Sequence, residues 1–185
     1  MATFFDSLPR QFSDVNVLAA ESGIETLPFL QASEGLTRMF DTLGSAFSVV
    51  KSDVQGNITS ATLQSLVEAE KAENKNTATV GLLWLKRALE FTALGLRRNV
   101  DNPGEELSAS FHKAYDATLS KHHTFMVRGV FSASLFACPS RADFYKKLAG
   151  SDPNKMQGQL ASWLGALENQ VRIIDQFLRA KGIEK

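Results

Sequence analysis

A chain of 185 residues, 44% of them hydrophobic, is long enough for one substantial core and too short for two of comfortable size, so one domain over 1–185 is expected. Lys and Arg number 20 and so do Asp and Glu, which leaves no basic excess for a nucleic acid and no field to draw a strongly anionic partner. The start, Met1 to Arg10, has neither a basic leader nor a continuous apolar stretch, and nothing along the chain approaches a membrane span. A cytoplasmic protein is expected. The lone cysteine, Cys138, cannot form an internal disulfide and reads as a small buried hydrophobe in a reducing compartment.

Taken in order, Phe4, Phe5, Leu8 and Phe12 are spaced to cover an apolar surface, with Pro9 breaking any long helix. This N-terminal arm, residues 1–25, either packs on the body or dips into lipid, and the spacing favours packing. Asp14 to Gly23 reads as a loop or short turn. Thr26-Leu27-Pro28 is a helix start, and Phe29, Leu30, Leu36, Met39, Phe40 and Leu43 carry an apolar face to Gly44. In the next segment Phe47, Val50, Val54 and Ile58 step by threes and fours, while Asp53 and Asn57 project from one helix face as a polar notch beside that stripe. Thr62 to Glu73 predicts a helix with Leu63, Leu66 and Val67 inward, followed by a polar break at Asn74-Lys75-Asn76.

From Val80 to Leu96, the residues Val80, Leu83, Trp84, Ala88, Phe91, Leu94 and Gly95 describe one broad face of a central helix, with Lys86, Arg87, Glu90 and Arg97 or Arg98 pointing elsewhere. Asn102-Pro103-Gly104 is a loop. Helices are predicted over Glu105 to Ser120, with Leu107, Phe111, Ala114, Tyr115 and Leu119 inward, and over Lys121 to Ala137. Ser140 caps a short helix to Leu148, and Asp152-Pro153 opens a long amphipathic helix in which Met156, Leu160, Trp163, Leu164, Leu167, Val171, Ile174, Phe177 and Leu178 recur. No strand alternation is convincing, so the class is all-α. Lys146-Lys147 and the Lys181 to Lys185 tail read as solvated charge.

Three blocks, FDTLGSAFSVVKSDVQGNI, LLWLKRALEF and HHTFMVRGVFSASLFACPSRADF, together resemble the glycolipid transfer protein family, close to its fungal heterokaryon-incompatibility members. The resemblance runs from about Phe29 to the C-terminal helix. It implies a two-layer helical sandwich of about eight helices that binds a simple glycosphingolipid, such as glucosylceramide or galactosylceramide, and moves it between membranes. At the matching positions Asp53, Asn57, Trp84 and His123 hold the sugar-amide head group, and the hydrocarbon chains enter an apolar cavity. Val80, Phe125 and Phe136 are the residues expected at the lipid chains or the membrane surface.

The residue chemistry suits those roles. A carboxylate accepts from adjacent sugar hydroxyls, an amide donates and accepts, an indole face receives the C–H side of a pyranose, and an imidazole bonds an amide carbonyl or hydroxyl. Relatives that carry phosphorylated ceramides have an arginine where Trp84 stands, so the resemblance implies a neutral sugar. One departure is Ser60, where the family carries a lysine; Lys51 is a possible substitute. Since the chains pass from one hydrocarbon environment to another, the ~0.8 kcal/mol gained per buried methylene largely cancels and selectivity falls to the head group.

Each residue also has a plainer reading: Trp84 as core, His123 as a satisfied core or surface histidine, and the 13 Phe as an ordinary core. His112 and Asp116 stand four apart, which lacks the closed ligand set zinc needs. No nucleophile elbow, phosphate loop or Cys-His signature anchors enzyme chemistry, so no enzyme, metal or cofactor is expected. The expected partners are a glycosphingolipid and a transient membrane surface, with the protein a monomer. Two rivals stand beside transfer: a sensor whose lipid-loaded form signals to a protein, and an α-helical sphingolipid hydrolase with Asp53 and His123 as acid and base.

Overall fold

The computed structural model describes residues 2–18, 23–43 and 62–184. Seven α-helices stand among them: α1 (Thr26–Leu43), α2 (Leu63–Ala72), α3 (Thr77–Asp101), α4 (Leu107–Ala117), α5 (Phe125–Phe136), α6 (Arg141–Ala149) and α7 (Pro153–Ala180); the further helix expected around Asp53 and Asn57 lies outside the described residues. Between them lie short 3-10 turns at Phe5–Ser7, Phe12–Asp14 and Leu119–His122, and a two-stranded antiparallel ribbon, β1 (Val17–Leu18) with β2 (Gly23–Ile24), in register Val17 to Ile24. Strands of two residues are too short to show alternation, which is why the sequence reads this segment only as a turn.

The helix boundaries follow the capping chemistry. Thr62 accepts from the Ser65 amide, Thr124 from Val127, Ser140 from Asp143 and Asp152 from Lys155, each satisfying one of the orphan amides of a first turn. The Thr124 cap sets the start of α5 four residues later than predicted, leaving Lys121 to His123 in a 3-10 turn and its exit. At α3 the local cap residue Asn76 makes no side-chain bond. Glu70 of α2 does its work instead, accepting from the Ala78 and Thr79 amides at 2.7 Å each and from the Thr79 hydroxyl at 2.8 Å. Burial pushes the Glu70 carboxyl up, but those three donors outweigh it and hold its pKa below the ordinary value.

The central role predicted for α3 is observed: it packs on α4, α7 and α2, and α7 in turn on α6. Phe91, Leu89, Leu96 and Ala93 of α3 meet Phe111, Ala114 and Tyr115 of α4 and Leu164, Leu167, Val171 and Ile174 of α7 in one buried cluster. The face differs from the predicted one in part. Phe91 and Gly95 are buried, whereas Val80, Trp84 and Leu94 are exposed. Lys86, expected in solvent, is 2% exposed.

The N-terminal arm packs rather than standing free. Phe5 and Phe12 are fully buried and lie against Trp163 with ring centroids 6.0 and 5.2 Å away. Gln170 donates to the Phe12 carbonyl at 2.7 Å, and the Phe4 amide donates to the Leu148 carbonyl at 3.0 Å. Burial of each phenyl ring contributes about 1.5–3 kcal/mol, which fastens the arm to α7.

Gly95 marks the closest approach of α3 and α4: a Cβ there would lie 2.5 Å from Cδ1 of the buried Phe111 ring. Gly95→Ala should therefore destabilise the protein by about 1–3 kcal/mol, although alanine is the better helix former. Thermal unfolding checks this, with Phe111→Leu in the same chain expected to recover part of the loss.

Candidate functional site

Trp84 lies two turns into α3, one turn beyond Val80 and one before Arg87, so the three share a helix face. The cap supplied by Glu70 holds the end of α3 that carries them. Trp84 is 41% exposed, so it is not a core residue. His123 reaches it from the link between the Leu119–His122 turn and α5, its ring inclined 20° to the indole with centroids 6.1 Å apart. His122 presents its edge at 6.3 Å and 78°. The two residues separated by 39 positions in the sequence are thus neighbours.

His123 is oriented from behind. Its Nδ1 lies 2.9 Å from the Tyr115 hydroxyl, and the backbone carbonyl accepts from Arg128 Nε at 3.0 Å. Burial, seconded by the Arg128 cation, depresses the His123 pKa, while burial raises that of Tyr115. The Tyr115 hydroxyl and Nδ1 share this hydrogen bond, and in the tautomer that carries its proton on Nε2 the phenol is the donor. That leaves Nε2–H to donate to a carbonyl.

Behind this pair, Tyr115 and Phe131 stack at 4.5 Å and 14°, with Phe91 at 5.5 Å from Phe131. Phe131 and the buried Leu135 are the anchors of α5. Most of its other large side chains face out: Phe125 is 90% exposed and Phe136 74%, with Met126, Val127 and Val130 also exposed. Apolar side chains left exposed around much of a helix form the kind of patch that meets a membrane or another apolar surface.

Of the residues singled out in the sequence, Trp84 and His123 are brought together; Asp53 and Asn57 lie outside the described residues, as do Lys51 and Ser60. Val80 stands on the Trp84 strip, and Phe125 and Phe136 at opposite ends of α5. Two clefts, of about 920 Å³ between α6 and α7 near Tyr145 and Leu160, and of about 710 Å³ beside Gln64 and Phe177, include neither Trp84 nor His123 in their walls.

What sequence reasoning missed is the ionic group next to the platform. Lys86, placed in solvent by the helix pattern, is buried against Glu90 at 3.0 Å, Asp175 and Glu184 at 3.8 Å. Arg87 lies over Trp84, its guanidinium carbon 5.0 Å from the ring centroid, and forks onto Glu184 with both bonds at 3.1 Å. Glu184 belongs to the tail read as solvated charge. Its reach depends on the turn ending α7, where Gly182 at φ 71° lets the Ile183 amide donate to the Leu178 carbonyl at 2.9 Å and folds the tail back. The only sequence signal was Gly182 itself, a C-terminal cap residue.

The model of the glycolipid transfer protein family matches residues 24–150. A glycolipid transfer protein of Aureobasidium melanogenum is 52% identical over 97% of this chain and 94% of its own length. The human pleckstrin homology domain-containing family A member 8 is 35% identical over 98% of this chain, which spans 40% of that protein's length. Among solved structures, HET-C2, a fungal glycolipid transfer protein, superposes with a TM-score of 0.88 at 42% identity, covering 96% of this chain and 97% of that one. The glycolipid-transfer fold of FAPP2, described as selecting simple glycosphingolipids, gives 0.84 at 33% identity over 100% and 98%. The order of the helices, the packing of α3 at the centre and these matches agree: the chain belongs to the glycolipid transfer protein family.

Proposed function

We propose that this protein takes a simple, neutral glycosphingolipid such as glucosylceramide or galactosylceramide from a membrane surface, carries it as a monomer through the cytoplasm and releases it at another membrane, with no bond made or broken. The observation that carries the reading is the open indole of Trp84 set beside a neutral, Tyr115-tethered His123. An exposed aromatic face receives the C–H side of a pyranose, and Nε2–H donates to the amide carbonyl one group deeper. Asp53 and Asn57 join the site on the resemblance, accepting from and donating to the sugar hydroxyls. Names of relatives support the same ligand class. The outward apolar side chains of α5, Phe125 and Phe136 among them, rest on the membrane while the lipid enters, and Val80 flanks the chains below the sugar.

Transfer of fluorescent glucosylceramide between vesicles tests the reading, with ceramide-1-phosphate in parallel. Rapid movement of the sugar lipid alone supports it. Binding without transfer assigns the protein to lipid sensing, and a changed lipid mass after incubation assigns it to hydrolysis.

Trp84→Ala should lower transfer by about tenfold or more, the loss of an aromatic contact surface worth ~1.5 kcal/mol or above. Because the ring is half open, the unfolding temperature should move by no more than about 2–4 °C. A collapse of thermal stability would make Trp84 a core residue and remove the platform.

The depressed His123 pKa fixes a pH dependence. Above the ordinary histidine value of about 6.5 the imidazole is neutral folded or unfolded; as pH falls below it the unfolded state binds the proton first, so stability drops until the lower folded pKa is passed. Protonation also removes the acceptor at Nδ1. Because the folded imidazole takes its proton only below the ordinary value, head-group binding should stay flat down to about pH 6.5 and weaken only beneath it, and His123→Gln should abolish that slope. Titrating glucosylceramide binding from pH 5 to 8 in both proteins checks it.

A further inference from the structure

We propose that Glu184 sets the charge selectivity of the head-group site by occupying the Arg87 guanidinium that lies over Trp84. The inference rests on the glycolipid reading above. An arginine beside a lipid head group is a ready fork for phosphate or sulfate, since its planar donors match two anionic oxygens at once. Here Arg87 sits within 5.0 Å of the platform, close enough to meet any group lying on it. Left alone it would invite a phosphorylated or sulfated sphingolipid into a site otherwise fitted for a neutral sugar.

Glu184 removes that invitation. Its two carboxylate oxygens take Nε–H and one terminal N–H of Arg87, each at 3.1 Å, which closes that bidentate edge of the guanidinium to a phosphate. At 6% exposure the carboxylate is largely shielded from water, so the pair is not loosened by solvent as a rim ion pair would be. Its charge also repels an arriving anion.

The surrounding charges are already matched. Lys86 is held by Glu90 and Asp175, and Arg179 closes on Asp175 at 2.7 Å. Three cations therefore meet three carboxylates across α3, the end of α7 and the tail. Of the other charges near the platform, His122 is kept toward its neutral form by burial and then by the Arg87 cation, and Arg128 donates to the His123 carbonyl. Among the described residues, removing the Glu184 charge is thus the change that takes the carboxylate from Arg87 beside Trp84.

The test compares the whole protein with three variants in vesicle transfer of glucosylceramide, ceramide-1-phosphate and sulfatide. Glu184→Gln, an isosteric change, should raise movement of the two anionic lipids by about tenfold or more as the freed guanidinium gains a charge-assisted fork. Glu68→Gln removes a carboxylate paired with Lys181 elsewhere and makes the same change in net charge, so it should give no such gain. Arg87→Met combined with Glu184→Gln should lose it. Should Glu184→Gln fail to fold by circular dichroism, Glu184→Asp, which shortens the fork while keeping the charge by Lys86, should show a smaller gain. The proposal is overturned if a folded Glu184 variant moves glucosylceramide yet gains nothing on anionic lipids, or if the gain survives the loss of Arg87. A wild-type protein that moves no glucosylceramide overturns the glycolipid reading itself, and this proposal with it.

Discussion

An ammonium group withdrawn from water must bring its counter-charges with it, and Lys86 does so by drawing together parts of the chain that are far apart in sequence. Glu90 comes from its own helix, Asp175 from the end of α7 and Glu184 from beyond it. Burial alone would depress the lysine pKa; the hydrogen bonds to Asp175 and Glu90 outweigh it, and the group stays charged. Such a cluster contributes little net free energy against a well-packed apolar equivalent. What it supplies is register: it fixes where the end of α7 lies along α3, and so what stands next to Trp84.

That register matters because a transfer protein gains little from the lipid chains, whose surroundings are apolar before and after. The head group has to decide the affinity, and small displacements of an aromatic face or a hydrogen-bond donor weaken it. Among the described residues, Trp84 and His123 are accordingly held from a second layer. Glu70 caps the end of α3 that carries Trp84, Tyr115 orients the ring of His123, and Phe131 stacks on Tyr115 while anchoring α5. The outer face of α5 is the opposite case. Its apolar side chains are left unpacked, an arrangement that costs solubility and is useful where apolar surface is met.

Much of this was legible in the residues. Caps at Ser140 and Asp152, the loop at Asn102-Pro103-Gly104 and the periodic apolar faces of α4 and α7 depend on neighbours three or four positions away, and the observed helices keep to them. The N-terminal arm was legible as apolar, but its two readings were separated only by Trp163 and Gln170, some 150 residues on. Lys86 misled the pattern for a related reason. Counting charge as outward assumes that its partner is water, and here the partners are carboxylates that no local rule could place beside it.

The sequence by itself therefore determined the class of the fold, most helix boundaries and, through its three blocks, membership of the glycolipid transfer protein family, because these rest on short-range capping, periodicity and residue identity at recognisable spacing. Tertiary structure alone decided that Trp84 faces outward, that His123 lies alongside it with Nδ1 engaged by Tyr115, and that Glu184 closes on Arg87. Those are through-space relations between side chains tens of residues apart, and they follow from how whole helices pack, which no local window of sequence contains.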